Sequence, residues 1–186
     1  ALAGDLQRKL VYHLCSGVGP PFSRREVRAI MAARVVALAQ GWSGVEPTVV
    51  EHLLQMLAQD IIPLVPEMGT VGASGDLTPL AHIALAAMGE GEVLGATPGT
   101  RLAANVALQT AGLSPLQLQG KDGLALVNGT AAMTAIAALN DTTAERAIAC
   151  LMRLTVGHGE LARGYRAAWH PRIALAKPHP GQREAA

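Results

Sequence analysis

The sequence predicts a mainly α-helical protein, and two observations support this fold class. Half of the residues are apolar, whereas aromatic residues make up only 3%. Abundant Ala, Leu, Val and Ile with so few aromatic side chains favour close-packed helices over a sandwich of strands. Apolar residues also recur at helical spacing, beginning with Leu2, Leu6 and Leu10. At 186 residues, the chain has the size of one domain or of a large piece of one.

The first two predicted helices have recognisable ends. The apolar spacing that begins at Leu2 continues to Leu14, where the SGVGPP segment ends the helix. Ser23, followed three residues later by Glu26, forms a capping box. A second helix is therefore predicted to begin there and to continue to about Ala39.

A third helix is predicted over residues 47–62, followed by an extended connection. Three leucines form its predicted apolar face: Leu53, Leu54 and Leu57. Pro63 and Pro66 predict the extended connection, because proline disfavours the helical conformation in the residue before it.

The middle of the chain predicts shorter elements. Thr78 and Pro79 have the residue types of an N-cap and a first helical turn, and they predict a helix to Met88. The glycine-rich segment GEGEVLGATPGT predicts an exposed turn or a short hairpin. Residues 101–110 are predicted to be helical, and residues 124–127 form a short apolar run.

The last long segment, residues 130–169, is rich in alanine and predicted to be helical. Gly157 and Gly159 predict a break or kink within it. The tail PHPGQREAA is expected to be irregular. Because the chain starts inside a helical pattern and stops on this tail, we expect residues 1–186 to form a single, partial domain.

The charge pattern excludes two classes of partner. The 15 basic and 14 acidic residues are scattered along the chain and give a formal net charge of +1. We therefore expect neither a nucleic acid nor a membrane surface as a partner. The apolar runs are shorter than the roughly 18 residues of a spanning helix, and no signal peptide is recognisable. A soluble, cytoplasmic protein is expected.

Cysteine and histidine do not predict a metal site. Cys15 and Cys150 lie in apolar stretches with a helical pattern, and are expected to be buried, reduced thiols rather than a disulfide. Three histidines lack ligand spacing with each other or with a cysteine: His158, His170 and His179.

The most unusual stretch is GTVGASGDLTPLAH, residues 69–82. Its centre consists of three minimal side chains in a row, Ala73, Ser74 and Gly75. Such a backbone can fold back tightly. Spacing alone fits a tight turn before a helix N-terminus or an anion-binding loop. A serine nucleophile is less favoured, because the surroundings are not a GxSxG elbow and no histidine and acid partners can be assigned.

Several motifs occurring in order resemble the aromatic amino acid ammonia-lyase and aminomutase family, which includes histidine, phenylalanine and tyrosine ammonia-lyases. They are YHLCSGVGP, AQGWSG, GTVGASGDLTPLAH, MGEGE, KDGLALVNGT and PHPGQ. The resemblance implies a helical bundle of the ammonia-lyase type, with the Ala-Ser-Gly loop between helices. It also implies that this chain is the central part of a longer protein, without the N-terminal lid region and the C-terminal half.

In that family the Ala-Ser-Gly tripeptide cyclises on itself to a 4-methylidene-imidazol-5-one. The resemblance assigns Ala73, Ser74 and Gly75 to this catalytic group, which needs no external cofactor. A backbone electrophile of this kind serves as an electron sink while a base removes the weakly acidic β-proton of an amino acid. The family's usual base is a tyrosine in a mobile loop that precedes residue 1.

The resemblance also implies substrate-binding residues. The two positions before the SGVG turn face the substrate's side chain, and His-Leu, as at His13 and Leu14, is similar to tyrosine ammonia-lyases. An imidazole can exchange a hydrogen bond with a phenol hydroxyl. Asn128 is implied near the amino acid end of the substrate and its ring, although Asn-Gly also suits a helix N-cap or a left-handed turn. Leu77 is implied to pack on the substrate's ring, although a core leucine would have the same pattern.

Two further residues near the tripeptide are assigned differently. Asp76 either orients the tripeptide or caps the helix beginning near Thr78. His82 lies on an apolar helix face and is expected to be a core histidine with a satisfied side chain, outside the site.

The leading functional hypothesis is a tyrosine ammonia-lyase that produces 4-coumarate and ammonia as part of a homotetramer. A tyrosine 2,3-aminomutase and a phenylalanine or histidine ammonia-lyase are alternatives. A hypothesis of another class is an inactive helical scaffold, and residues 1–186 alone are expected to show no turnover. Segments with few charges, such as residues 131–139, also predict burial against other helices.

Overall fold

A computed structural model describes residues 2–69, 75, 77–176 and 178–185. The chain is mainly helical, which confirms the predicted fold class, and it divides after Leu139 into two compact units. The helices are α1 Leu2–Leu14, α2 Arg24–Ala39, α3 Pro47–Ala58, α4 Leu77–Ala87, α5 Ala104–Thr110, α6 Asp122–Val127, α7 Ala131–Leu161, α8 Pro171–Ala174 and α9 Pro180–Ala185. A short 3-10 helix, Arg166–Trp169, precedes α8.

Four short strands form two antiparallel pairs in the first unit. They are β1 Val18–Pro21, β2 Pro66–Met68, β3 Glu92–Leu94 and β4 Arg101–Ala103. In the first pair, β1 and β2, Val18 lies opposite Met68, and the register shifts before Pro21 meets Pro66. The second pair is a regular hairpin of β3 and β4. Of the two structures expected for the glycine-rich segment, the hairpin is the one observed.

The hydrophobic core lies in the first unit and is built mostly from α2, α3 and α4. Its largest fully buried side chains are Ile30, Met31, Leu38, Leu53, Met56, Ile62, Leu80, Ile83, Leu108 and Leu126. Helix α2 packs on α3, while α1, α4 and α6 pack against one another. Helices α1, α4 and α6 each contain part of a motif on which the family resemblance rests, so their packing brings three of those motifs close together.

Helix α3 is shorter than predicted. It ends at Ala58, and Asp60 then adopts a positive φ of 55°. The carboxylate of Asp60 accepts hydrogen bonds from Arg24 and Arg28, which stabilise this turn. Ile61 and Ile62 follow as buried residues outside the helix.

The predicted apolar face of α3 is wrong in part. Leu53 is buried, but Leu54 is 49% exposed and Leu57 is half-buried. His52 and Met56 take the buried positions on either side of Leu53.

Three other predicted boundaries differ from the structure. Helix α4 begins at Leu77, so Thr78 is a buried residue inside the helix rather than its N-cap. Residues 101–103 form strand β4, and the predicted helix starts only at Ala104. Helix α7 continues through both Gly157 and Gly159 and ends at Leu161.

The second unit contains the C-terminal part of α7 and the short helices after it. The chain turns after α7 at Arg163, which has a positive φ of 52°, and the Gly164 N–H donates to the Gly159 carbonyl. Within the tail, Pro180–Ala185 form α9, so the expectation of an irregular tail is wrong.

The cysteines are free thiols, as predicted, but neither is fully buried. Cys15 is half-buried just after α1, and burial raises its pKa to about 11. Cys150 is exposed on α7, so its predicted burial is wrong.

The range Asp122–Leu161, which contains α6 and α7, is long and apolar enough to cross a membrane by length and composition alone. The core helix of a soluble protein meets the same criteria, and 44% of the apolar window is buried within the described residues. Among those residues, no group of three or more His, Cys, Asp or Glu side chains could hold a metal ion.

Candidate active site

The predicted tripeptide is described only at Gly75. Ala73, Ser74 and Asp76 lie outside the described residues. Gly75 is buried and has a positive φ of 104°, a conformation that strongly favours glycine.

The surroundings of Gly75 leave no room for a side chain. A Cβ at this position would lie 2.6 Å from the Gly129 carbonyl oxygen and 3.3 Å from the Cα of Thr130. The end of the tripeptide therefore packs directly on the turn between α6 and α7. Two motifs that are distant in the sequence, ASG and NGT, meet at this point.

Asn128 lies at the end of α6 with extended backbone angles, φ −89° and ψ 102°. This conformation excludes the left-handed turn considered from the sequence, and the residue closes α6 as its C-cap rather than starting α7. Its N–H donates to the Leu124 carbonyl at 2.9 Å. The residue is exposed, so its side-chain amide is accessible to a ligand.

Helix α6 is anchored by hydrogen bonds to other parts of the chain at both of its ends. At its start, the buried carboxylate of Asp122 accepts from the N–H groups of Gln119 and Glu46, at 2.8 and 3.2 Å. The side-chain oxygen of Gln7 on α1 accepts from the Leu124 N–H at 2.9 Å. At the other end, Arg34 donates to two carbonyls of the α6 terminus.

Arg34 is a residue that the sequence analysis missed. It lies on α2 with only 6% of its surface exposed, and its Nη2 donates to the carbonyls of Ala125 and, at 2.9 Å, of Asn128. Burial lowers the pKa of its guanidinium. Its position was a usable signal, because it continues the apolar stripe of α2 formed by Val27, Ile30, Met31, Val35 and Leu38.

The other predicted substrate-binding residues, His13, Leu14 and Leu77, lie on the packed helices α1 and α4. His13 is exposed in the last turn of α1, and Leu14 beside it is half-buried against the core. Leu77 is half-buried at the start of α4. The packing of α1, α4 and α6 against one another brings these helices into one region.

His82 was expected to be a core histidine with a satisfied side chain, but its side chain is not satisfied. Its Nε2 is buried without a hydrogen-bond partner among the described residues, and burial lowers its pKa. A Cβ on Gly17, in the SGVG turn, would lie 3.0 Å from this nitrogen. His82 therefore supports the turn that follows His13 and Leu14.

An exposed polar network lies beside His13. The hydroxyl of Tyr12 donates to Glu90 at 2.5 Å, and the Arg8 guanidinium contacts both residues. The hydrogen bond to Glu90 and burial raise the pKa of Tyr12. An open cavity of about 680 Å³ borders Arg8 and Glu90, but none of its lining residues belongs to the predicted site.

The motifs and the fold agree with comparisons to known proteins. Residues 2–186 match the family described as aromatic amino acid lyase. The chain belongs to this family. The family resemblance inferred from the sequence motifs is therefore confirmed.

Curated relatives include lyases for two different amino acids. The chain is 45% identical over 181 residues to a tyrosine ammonia-lyase of Cereibacter sphaeroides, which covers 97% of this chain and 34% of the relative. It is also 45% identical over 187 residues to a histidine ammonia-lyase of Gloeobacter violaceus, covering 98% of this chain and 35% of the relative. The chain spans about a third of the length of these aromatic amino acid lyases.

Solved structures of the family have the same fold. A phenylalanine aminomutase of Pantoea agglomerans superposes with a TM-score of 0.92 at 35% identity, over 98% of this chain and 35% of the other. A tyrosine aminomutase of Streptomyces globisporus gives a TM-score of 0.91 at 38% identity, over 98% of this chain and 34% of the aminomutase. The predicted helical architecture of the ammonia-lyase type is confirmed.

Proposed function

We propose that this chain is the part of a tyrosine ammonia-lyase that forms the electrophile and binds the substrate's side chain. The reaction would eliminate ammonia from L-tyrosine and give trans-4-coumarate. The family is known for a self-formed methylidene-imidazolone and acts on small amino acids. The single observation that carries the proposal for this chain is the geometry at Gly75.

The electrophile would form from Ala73, Ser74 and Gly75 without an external cofactor. The Gly75 nitrogen bonds to the carbonyl carbon of Ala73, and that carbonyl oxygen leaves as water with the N–H protons of Gly75 and Ser74. The Ser74 hydroxyl leaves as a second water with the Cα proton. Gly75 fits this chemistry, because its positive φ and its close packing on Gly129 hold it in a conformation that other residues resist.

The methylidene group supplies an electron sink that makes loss of the β-proton and of ammonia possible. The chain's own residues orient the substrate around it. The exposed imidazole of His13 is available to exchange a hydrogen bond with the phenol hydroxyl, and Leu14 and Leu77 offer half-buried apolar surface for the ring. The exposed amide of Asn128, one residue from the contact with Gly75, is available to the amino acid end.

A tyrosine 2,3-aminomutase is the second candidate. The structural likeness to a tyrosine aminomutase at 38% identity supports it. The two reactions share the elimination and differ in whether ammonia is added back at the β-carbon. A homotetrameric assembly and a cytoplasmic location stay predictions from the sequence and the resemblance.

Intact mass of the natural full-length protein tests the electrophile first. The wild-type protein is expected to be lighter than its sequence by two waters, and Ser74→Ala is expected to abolish this difference. A wild-type mass equal to that of the unmodified sequence would reject the proposal and favour the scaffold hypothesis.

Product analysis then tests the substrate. Tyrosine is expected to yield 4-coumarate, whereas accumulation of β-tyrosine would identify the aminomutase. His13→Phe is expected to lower the kcat/KM ratio of tyrosine to phenylalanine by about tenfold or more, because the phenol hydroxyl loses its partner. Preferred turnover of histidine by the wild type would reject the tyrosine assignment.

A further inference from the structure

Arg34 is a buried cation that faces carbonyl groups. Among the described residues, none of the ion pairs includes it, and its Nε is buried without a hydrogen-bond partner. Burial of an unpaired charge is costly. Two other arginines of α2, Arg24 and Arg28, differ in that both pair with the carboxylate of Asp60. The burial of Arg34 is therefore not explained by a surface ion pair of this kind.

The two carbonyls that accept from Arg34 belong to the end of α6. The last carbonyls of a helix have no partner within the helix, and a cation there is favourable. Helix α6 has only six residues, which is too short to be stable alone in water. Arg34 thus fixes the backbone of Ala125 and Asn128 from α2, across a long separation in sequence.

The same guanidinium lies against Gly129. A Cβ on Gly129 would collide with the Nη1 of Arg34. On its other side, the carbonyl of Gly129 is the atom closest to a Cβ at Gly75, at 2.6 Å. Arg34, Gly129 and Gly75 therefore form one continuous series of contacts. It ends at Gly75, whose nitrogen would close the ring of the electrophile.

We infer that Arg34 is a positioning residue for cyclisation of the tripeptide. It holds Asn128 and Gly129 in place against Gly75, and so keeps Gly75 in the positive-φ conformation from which we propose that its nitrogen closes the ring. The inference rests on the proposed function, since it assigns Arg34 a part in forming the electrophile. Arg34 does not touch the reacting atoms, and its effect passes through Gly129.

The test measures how fast the full-length protein loses two waters. Protein is purified at successive times after a short induction, and the dehydrated fraction is read from the intact mass. Arg34→Met removes the charge and all donors but keeps an unbranched side chain. We expect it to dehydrate at least about tenfold more slowly than wild type, which corresponds to about 1.4 kcal/mol.

Two further variants separate positioning from general stability. Arg28→Met is the matched control on the same helix, because Arg28 donates to the Leu57 carbonyl and pairs with Asp60, at the end of α3 rather than at the end of α6. It is expected to dehydrate at the wild-type rate. Arg34→Lys keeps the cation without the planar fork of donors, and is expected to be intermediate in rate with an unchanged circular dichroism spectrum.

The outcomes are distinct. Wild-type dehydration rates in Arg34→Lys and in folded Arg34→Met would overturn the inference while leaving the proposed function intact. Equal slowing in Arg28→Met and Arg34→Met would also overturn it, since the effect would then reflect stability alone. Absence of dehydration in the wild type would reject the proposed function and the inference with it. If Arg34→Met does not fold, the rate of Arg34→Lys decides.

Discussion

At Gly75, backbone angle and packing both exclude a side chain, and the sequence predicted only part of this. Three small residues in a row indicated a backbone that can compress, but not the atoms around it. The contact with Gly129 comes from a turn far along the chain, which no local pattern around the tripeptide could reveal.

Gly75→Ala is expected to destabilise the protein by more than ~1 kcal/mol, because alanine resists a positive φ and its Cβ would press on the Gly129 carbonyl. Urea unfolding measures the change. Gly99→Ala is the matched control: Gly99 has a positive φ of 83°, but open space surrounds its Cβ position. A loss no larger than that of the control would show that packing on Gly129 adds nothing.

Arg34 illustrates a second limit at the scale of single residues. Arginine is rarely buried fully, so a helix pattern normally leaves it on the solvated face. Its position in the apolar stripe of α2 predicts burial, but the sequence does not contain the partner's location. The acceptors are backbone carbonyls, which every residue has.

Among the elements, α2 was predicted most accurately because local chemistry fixes its start. The Ser23 side chain accepts from the Glu26 N–H, and the Glu26 carboxylate accepts from the Ser23 N–H. The hairpin of β3 and β4 was one of two expected forms for similar reasons, since its glycines favour turns. Elements whose ends depend on distant contacts were predicted poorly, as at Asp60, where arginines of α2 stabilise the turn after α3.

Ser23→Ala is expected to lower the free energy of unfolding by about 1 kcal/mol, because α2 loses one half of its capping box. Thermal or urea unfolding of the full-length protein measures the loss. Ser114→Ala is a suitable control, since Ser114 is exposed and lies outside the helices and strands. Similar stability of the two variants would contradict a capping role for Ser23.

Across the whole molecule, two histidines with buried ring nitrogens connect stability to pH. His52 on α3 and His82 on α4 each have an Nε2 without a partner among the described residues. Burial lowers the pKa of both, although a hydrogen bond to the Ala87 backbone partly opposes this at His52. In the unfolded chain, both would titrate near pH ~6.5.

The free energy of unfolding is therefore expected to fall as pH drops below about 6.5, because the unfolded chain takes up protons that the folded chain resists. The loss ends only below the lowered folded pKa values. Melting temperatures at about pH 7.5, 6.5 and 5.5 measure this loss of stability. His82→Gln is expected to reduce the drop, whereas exposed His158→Gln is not. Equal drops in both variants would remove His82 as a cause.

The second unit shows what remains a prediction at the largest scale. Large apolar side chains on α7 are exposed, among them Ile148, Leu151, Leu154 and Val156. The sequence predicted apolar helix surfaces that require partners, and these exposed residues have the expected character. Burial of these side chains against other helices stays a prediction.

The contact between Gly75 and Gly129 also has a consequence for the life of the protein in the cell. It joins distant parts of the chain, so it exists only after folding has brought them together. Under our proposal, a nascent or misfolded copy would still carry an ordinary serine and could not alkylate the thiols and amines around it. Folding would thus be a condition for forming the electrophile, and only copies that had reached the native state would carry it.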